Sequence, residues 1–346
     1  MATDPAHASR TRRALAALAI GGFAAGAAWI ASHRPGFGVP DFHTFWLAAR
    51  ALLDGANPYA VIPEAIGPEF QFFNPLPAAV LAAPFALLRP DVALALFSGL
   101  SAFILAYVVT RRSYDPLVMF LSASFAHGAV MGQWSLILTA ALFAPALGFV
   151  GAAKPNIGIA IVAALASWRA AAAMVLFAAI SVVIRPSWPL EWLAAVQAST
   201  WHFSPLAVPG GVLTLLALFR WRRPEARLLA ALGVLPQSPF VYEAMPLFFV
   251  PRSRTQFYVL VIGSDIALGV YAYFRGTPME DFLRINGLAV VLFMYLPALL
   301  MVLRRPNEGV LPGWLERVAS LLPVRLRGRA DGETDGRTHG RPAADR

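Results

Sequence analysis

Asp41 is the residue best placed to do chemistry in this chain. It opens the stretch DFHTFWLAARALLDGANPY directly after the first hydrophobic run. A carboxylate at the mouth of a helical bundle can accept a proton from a hydroxyl within about 3 Å, as a general base does. The plainer alternative is an N-cap, because Pro40-Asp41 precedes a helix expected at 42–53 and Asp is a favoured capping residue. Lys154, the single lysine, lies in GAAKPNIG, and Arg185 lies in RPSWPLEW, both beside apolar sequence. Charges at membrane depth are costly and mark functional positions by default. Each could hold an anionic lipid phosphate; Lys154 could also cap a short helix or snorkel to the interface. Tyr242 and Glu243 sit together in QSPFVYEAMPLF, where an acid either pairs with a buried cation or faces a cavity. Gln133, beside Trp134, could hydrogen-bond a sugar, and His43 is a further candidate substrate contact. Arg50 and Asp54 read as a surface pair one helical turn apart.

Other chemistries find little support. His43, His127 and His202 show no ligand spacing, and neither HExxH nor an Asp-rich cluster occurs, so no metal site is expected. A phosphate-cradling Gly-rich loop is missing, which argues against a nucleotide-driven pump, and no cofactor is expected. There is no Cys, which excludes disulfides and thiolate sites. The charge of +9 does not point to nucleic acid, because the arginines sit in short clusters between apolar runs, as orientation signals do.

The elements that must position these residues are helical and membrane-embedded. Of 346 residues, 58% are hydrophobic and only 14% charged, against roughly 25% charged in a soluble domain. The expected fold is an all-α, polytopic membrane protein of about ten to twelve transmembrane helices. Residues 1–13 form a cytoplasmic N-terminus, and 14–305 the membrane domain, with external juxtamembrane helices within 32–90. Residues 306–346 form a cytoplasmic tail, without apolar periodicity after Val324 and expected to be disordered. Segment 14–31 is read as an uncleaved signal anchor running outward, which leaves Asp41 external. Segment 75–88, broken by Pro75, Pro77 and Pro84, is too short to cross and reads as interfacial or re-entrant. Segment 91–110 returns inward to Arg111 and Arg112; 116–131, 170–184 and 256–274 run outward, and 206–219 and 284–303 inward. Regions 134–154 and 228–250, interrupted by Gly and Pro, each read as a pair of short helices, which is tolerated where they line a cavity or are packed by protein. Gly22 and Gly26 form a GxxxG, a weak signal of close helix packing.

The order of motifs resembles the glycosyltransferase family 87 proteins, which have the C-type membrane glycosyltransferase (GT-C) fold. The similar elements are DFHTFWLAARALLDGANPY, FQFFNPLPAAVLAAPFALL, GQWSLILTAAL, GAAKPNIG, RPSWPLEWL and SPFVYEAMPL, spread over roughly residues 12–250. Two features differ from that pattern: 134–154 is compressed, and Tyr-Glu follows the Ser-Pro. The resemblance implies an inverting transferase that moves a sugar (mannose or another hexose or pentose) from a polyprenyl-phosphate donor to a lipid or envelope-glycan acceptor. It implies Asp41 as the acid, with Lys154, Tyr242 and Glu243 lining the site. The implied setting is a bacterial plasma membrane, with both termini cytoplasmic and the site on the external face. A non-enzymatic carrier or flippase of lipid-linked sugar, or an inactive scaffold, are the alternative expectations.

Overall fold

The computed structural model describes residues 10–67, 70–198, 203–321 and 323. His202 and the tail from Val324 lie outside the described residues. Among the described residues the chain is helical throughout, apart from one isolated antiparallel bridge between Phe203 and Gln237.

Long apolar runs become long helices, because in an apolar medium the backbone must satisfy its own hydrogen bonds. Arg10–Ser32, Pro90–Val109, Arg254–Phe274 and Met279–Leu303 are long and apolar enough to cross a bilayer. Trp168–Ile184 and Trp188–Gln197 add a fifth span if taken together, but they meet at 106°. The bend falls at Arg185-Pro186-Ser187, with Pro189 starting the next helix, where proline cannot continue the ladder. The molecule is therefore an all-helical, multi-pass membrane protein.

The remaining expected crossings fall on shorter pieces. Ser135–Phe143 has 9 residues and Pro155–Leu165 has 11, where a full span takes about 20. Between them Pro145–Ala153 is a 3₁₀ helix, as is Val241–Phe249. Segment 75–88 is a 7-residue helix, Leu76–Ala82, followed by the 3₁₀ turn Phe85–Leu87, and its length excludes a crossing.

The arginine clusters gather at one end of the bundle. Glu225, fully buried, accepts from Arg305 at 2.6 Å and Arg252 at 3.3 Å, with Arg223 at 3.7 Å. Arg305 also donates to the carbonyl of Val250, beside Phe249, whose ring packs on Phe143. Arg111 donates to the carbonyl of Phe143, and Arg13 to that of Tyr107. Arg227 donates to the carbonyls of Ala163 and Ala164, satisfying the open end of Pro155–Leu165. A cation at a helix C-terminus is also favoured by the helix dipole.

The first helix packs along Pro90–Val109 through Gly21 and Gly99, not through Gly22 and Gly26. A Cβ on Gly21 would lie 2.8 Å from the Gly99 carbonyl oxygen, whereas one on Gly22 or Gly26 would meet nothing within 4 Å. Gly22 and Gly26 therefore face away from this contact. Gly99→Val is expected to cost about 1–3 kcal/mol by overpacking, seen as a lower melting temperature in detergent. Gly22→Ala should leave the melting temperature unchanged.

Candidate active site

At the end opposite the cluster around Glu225, residues from distant parts of the chain meet around Asp41. Asp41 is the first residue of the helix Asp41–Leu53, and Pro40 occupies the cap position. The expected side-chain cap does not form. Instead the carboxylate turns away from its own helix: Oδ2 accepts hydrogen bonds from Gln133 Nε2 and from the Tyr242 hydroxyl, the latter at 3.1 Å. Oδ1 accepts no hydrogen bond from the described residues, so one oxygen is anchored and the other is available.

The network extends inward. Gln133 Oε1 accepts from Lys154 Nζ at 3.2 Å, and Lys154 Nζ donates to Glu243 Oε1 at 2.6 Å. Ser238 donates to the same Glu243 oxygen at 2.7 Å. Glu243 is almost fully buried, and its Oε2 has no hydrogen-bond partner among the described residues. The side chain of Gln133 thus couples the acid to the Lys154–Glu243 pair.

Local sequence explains each placement. Gly132 ends the helix Ala123–Met131 in the left-handed conformation (φ 66°), and a Cβ there would lie 2.5 Å from the Cβ of Phe42. Glycine satisfies both demands and delivers Gln133 beside Asp41. Lys154 precedes Pro155, which forces it out of the helical region (φ −145°, ψ 83°), so its side chain leaves the gap between two helices. Asn156 donates to the carbonyl of Pro236, tying this turn to the segment that carries Ser238 and leads into the 3₁₀ helix with Tyr242 and Glu243. Asn74 donates to the carbonyl of Ala153 and accepts at its own carbonyl from the Tyr59 hydroxyl. The segments GQW, KPN and SPFVYE therefore converge on Asp41, and FNP braces the turn that carries Lys154.

Arg185 and His43 stand apart from this network. Arg185 forms two hydrogen bonds to Glu191, at 2.6 and 2.7 Å, and Glu191 also accepts from Asn57. Its charge is met, and it braces the bent helix pair against the turn at 57. His43 stacks on Trp46 with centroids 5.9 Å apart, and among the described residues no side-chain hydrogen bond joins it to the acid network. The Arg50–Asp54 pair forms on the surface at 3.0 Å.

Asp41 opens into a cavity of about 530 Å³, lined also by Arg34, Phe37, His127, Tyr242, Tyr271 and Arg275. The rings of His127, Phe240, Tyr242 and Tyr271 pack against one another in its wall. His127 Nδ1 is buried and unpartnered among the described residues. Sequence reading passed over Arg34, Tyr271 and Arg275 and left His127 as a packed or interfacial residue. Arg34 and Arg275 follow the ends of apolar helices, where orientation signals are common, and only the fold places them in the lining of the cavity that Asp41 shares. Among the described residues no group of three His, Cys, Asp or Glu stands close enough to hold a metal ion.

Asp41 lies outside the membrane-spanning helices. Burial raises its carboxyl above the ordinary carboxylate range, while hydrogen bonds from Gln133 and Tyr242 and the charge of Lys154 pull it back. The arrangement is a held carboxylate with a raised proton affinity, one oxygen free, on a cavity with two guanidinium groups. No family model, curated protein or solved structure matches this chain.

Proposed function

We propose that the protein is an inverting, membrane-embedded glycosyltransferase of GT-C type that uses a polyprenyl-phosphate sugar as donor. The observation that carries the proposal is Asp41, anchored through Oδ2 with Oδ1 unengaged at the wall of a sugar-sized cavity. Three of the other motifs that resemble glycosyltransferase family 87 bring Gln133, Lys154, Tyr242 and Glu243 into one network with that carboxylate, which supports the reading, while RPSWPLEWL stands apart. On it, the Asp41 end faces outward and the arginine-rich end faces the cytoplasm, in keeping with the positive-inside rule. The short helices then complete a bundle of about ten to twelve passes, packed by protein rather than crossing alone.

The chemistry is a single displacement. Asp41 Oδ1 takes the proton from an acceptor hydroxyl as that oxygen attacks the anomeric carbon. The bond from the anomeric carbon to the phosphate oxygen breaks, and its electron pair leaves on the polyprenyl phosphate. The proton then passes from Asp41 to solvent. Lys154, neutralised by Glu243, acts as a positioning residue: it holds Gln133, and its charge favours the ionised form of Asp41. The aromatic wall of Phe240, Tyr242 and Tyr271 offers apolar faces to sugar or lipid.

The test uses purified full-length protein in nanodiscs, with a polyprenyl-phosphate sugar and glycolipid acceptors. A new glycosidic bond of inverted configuration is expected. Movement of donor between leaflets without a new bond would instead identify a carrier. The base works deprotonated, so kcat/KM should rise with pH through a value above the usual ~3.9 of Asp and then level off. Tyr242→Phe removes a hydrogen bond that favours the charged carboxylate and should move that limb to higher pH. A limb that stays put in Tyr242→Phe would show that the titrating group is not Asp41.

A further inference from the structure

We infer that Arg34 and Arg275 form an anion subsite in the Asp41 cavity that holds a lipid-borne phosphate monoester, the leaving group of the donor. The inference rests on reading the cavity as the donor site, and it moves phosphate recognition away from the cations that sequence singled out. Lys154 is engaged by Glu243 and Arg185 by Glu191, so neither charge is left for a ligand. Of the residues lining the cavity, Arg34 and Arg275 are the permanent cations, and neither has an ion-pair partner among the described residues. Asp41 is the lone carboxylate in the lining, and it is held by Gln133 and Tyr242 rather than by an arginine. A cavity left with this excess of positive charge suits an anion.

Both arginines sit where a long helix ends. Arg34 follows the first helix and starts the turn Pro35-Gly36-Phe37, closed by the Phe37 amide donating to the Arg34 carbonyl at 3.2 Å, with Gly36 at φ 77°. Arg275 is the C-cap of Arg254–Phe274, where a cation is favoured by the helix dipole. Two guanidinium forks can grip the oxygens of a tetrahedral phosphate in a fixed orientation. Phe37, Met131, Phe240 and Leu268 line the same cavity and suit the first isoprene units of a lipid chain. The same contacts would neutralise the charge that grows on the phosphate as the sugar departs.

The test measures binding of a short-chain polyprenyl phosphate, carrying no sugar, to the purified full-length protein in detergent. Arg34→Gln and Arg275→Gln should each weaken binding roughly tenfold, and the double variant roughly a hundredfold, as expected for hydrogen bonds to a charged group. Arg50→Gln, on the exposed pair with Asp54, should bind like the wild type. The corresponding polyprenyl alcohol should bind weakly and alike in all variants. Inorganic phosphate should compete only at much higher concentration; binding as tight as that of the lipid would overturn the lipid assignment. Full-strength binding of polyprenyl phosphate by the folded double variant would overturn the subsite. Arginine-dependent lipid phosphate binding without sugar transfer leaves the subsite standing and sinks the transferase. Transfer at the wild-type rate by the double variant does the reverse.

Discussion

Asp41→Asn is expected to lower sugar transfer by about 10²–10⁴-fold, the contribution typical of a general base, or roughly 3–5 kcal/mol in the barrier. Asparagine keeps the shape of the side chain and can still accept a hydrogen bond from Tyr242 or Gln133, so the fold should survive. It cannot take a proton. Binding of polyprenyl phosphate should stay within about twofold of the wild type, because the phosphate contacts are assigned to Arg34 and Arg275 and a base acts in the transition state. The measurement is single-turnover transfer beside equilibrium binding. A variant with near-normal turnover would remove Asp41 from the reaction and leave it as a brace between the helix Asp41–Leu53 and Gln133. The pH limb should vanish with the carboxylate.

Lys154→Met is expected to destabilise the protein by about 3–5 kcal/mol, because it leaves the Glu243 carboxylate buried without its counter-ion. The side chains of Lys154 and Glu243 are only 14% and 4% exposed, so solvent screens the pair little. The double variant Lys154→Met with Glu243→Gln carries no buried charge and should recover most of that loss, read as the melting temperature in detergent. Its transfer should remain slow, since Gln133 has lost its ammonium partner and Asp41 the nearby positive charge. That split between restored stability and unrestored activity separates a positioning role from a purely structural one. If the double variant melts as low as the single, the two residues are not an energetic unit and the coupling to Asp41 has no basis.

The long spans could be read from sequence because an apolar run of twenty residues has few alternatives in a bilayer. Runs expected at 14–31, 91–110, 256–274 and 284–303 appear as helices at those places. The proline-broken run 75–88 is likewise too short to cross in the fold. Pieces such as Ser135–Phe143 and Pro145–Ala153 were harder, since their limits depend on what packs beside them rather than on periodicity. The GxxxG at Gly22 and Gly26 shows the same weakness. Spacing places those glycines on one face, but only a neighbour decides which face is used, and here Gly21 meets Gly99.

Composition and apolar runs are enough to show that this chain is helical and membrane-embedded, and which polar residues stand out, because a charge or amide beside apolar sequence is costly unless something meets it. They do not determine what meets it. Sequence alone allowed Asp41 to cap its own helix; the fold gives it Gln133 and Tyr242. Lys154 and Arg185 both stood as candidates to bind phosphate, yet one is held by Glu243 and the other by Glu191. Arg34 and Arg275, unremarkable at the ends of two helices, line the cavity instead. The reason is physical: a hydrogen bond or ion pair is decided within a few ångströms. Helical periodicity reports only which face of one element a residue occupies, and says nothing of which distant element will arrive there.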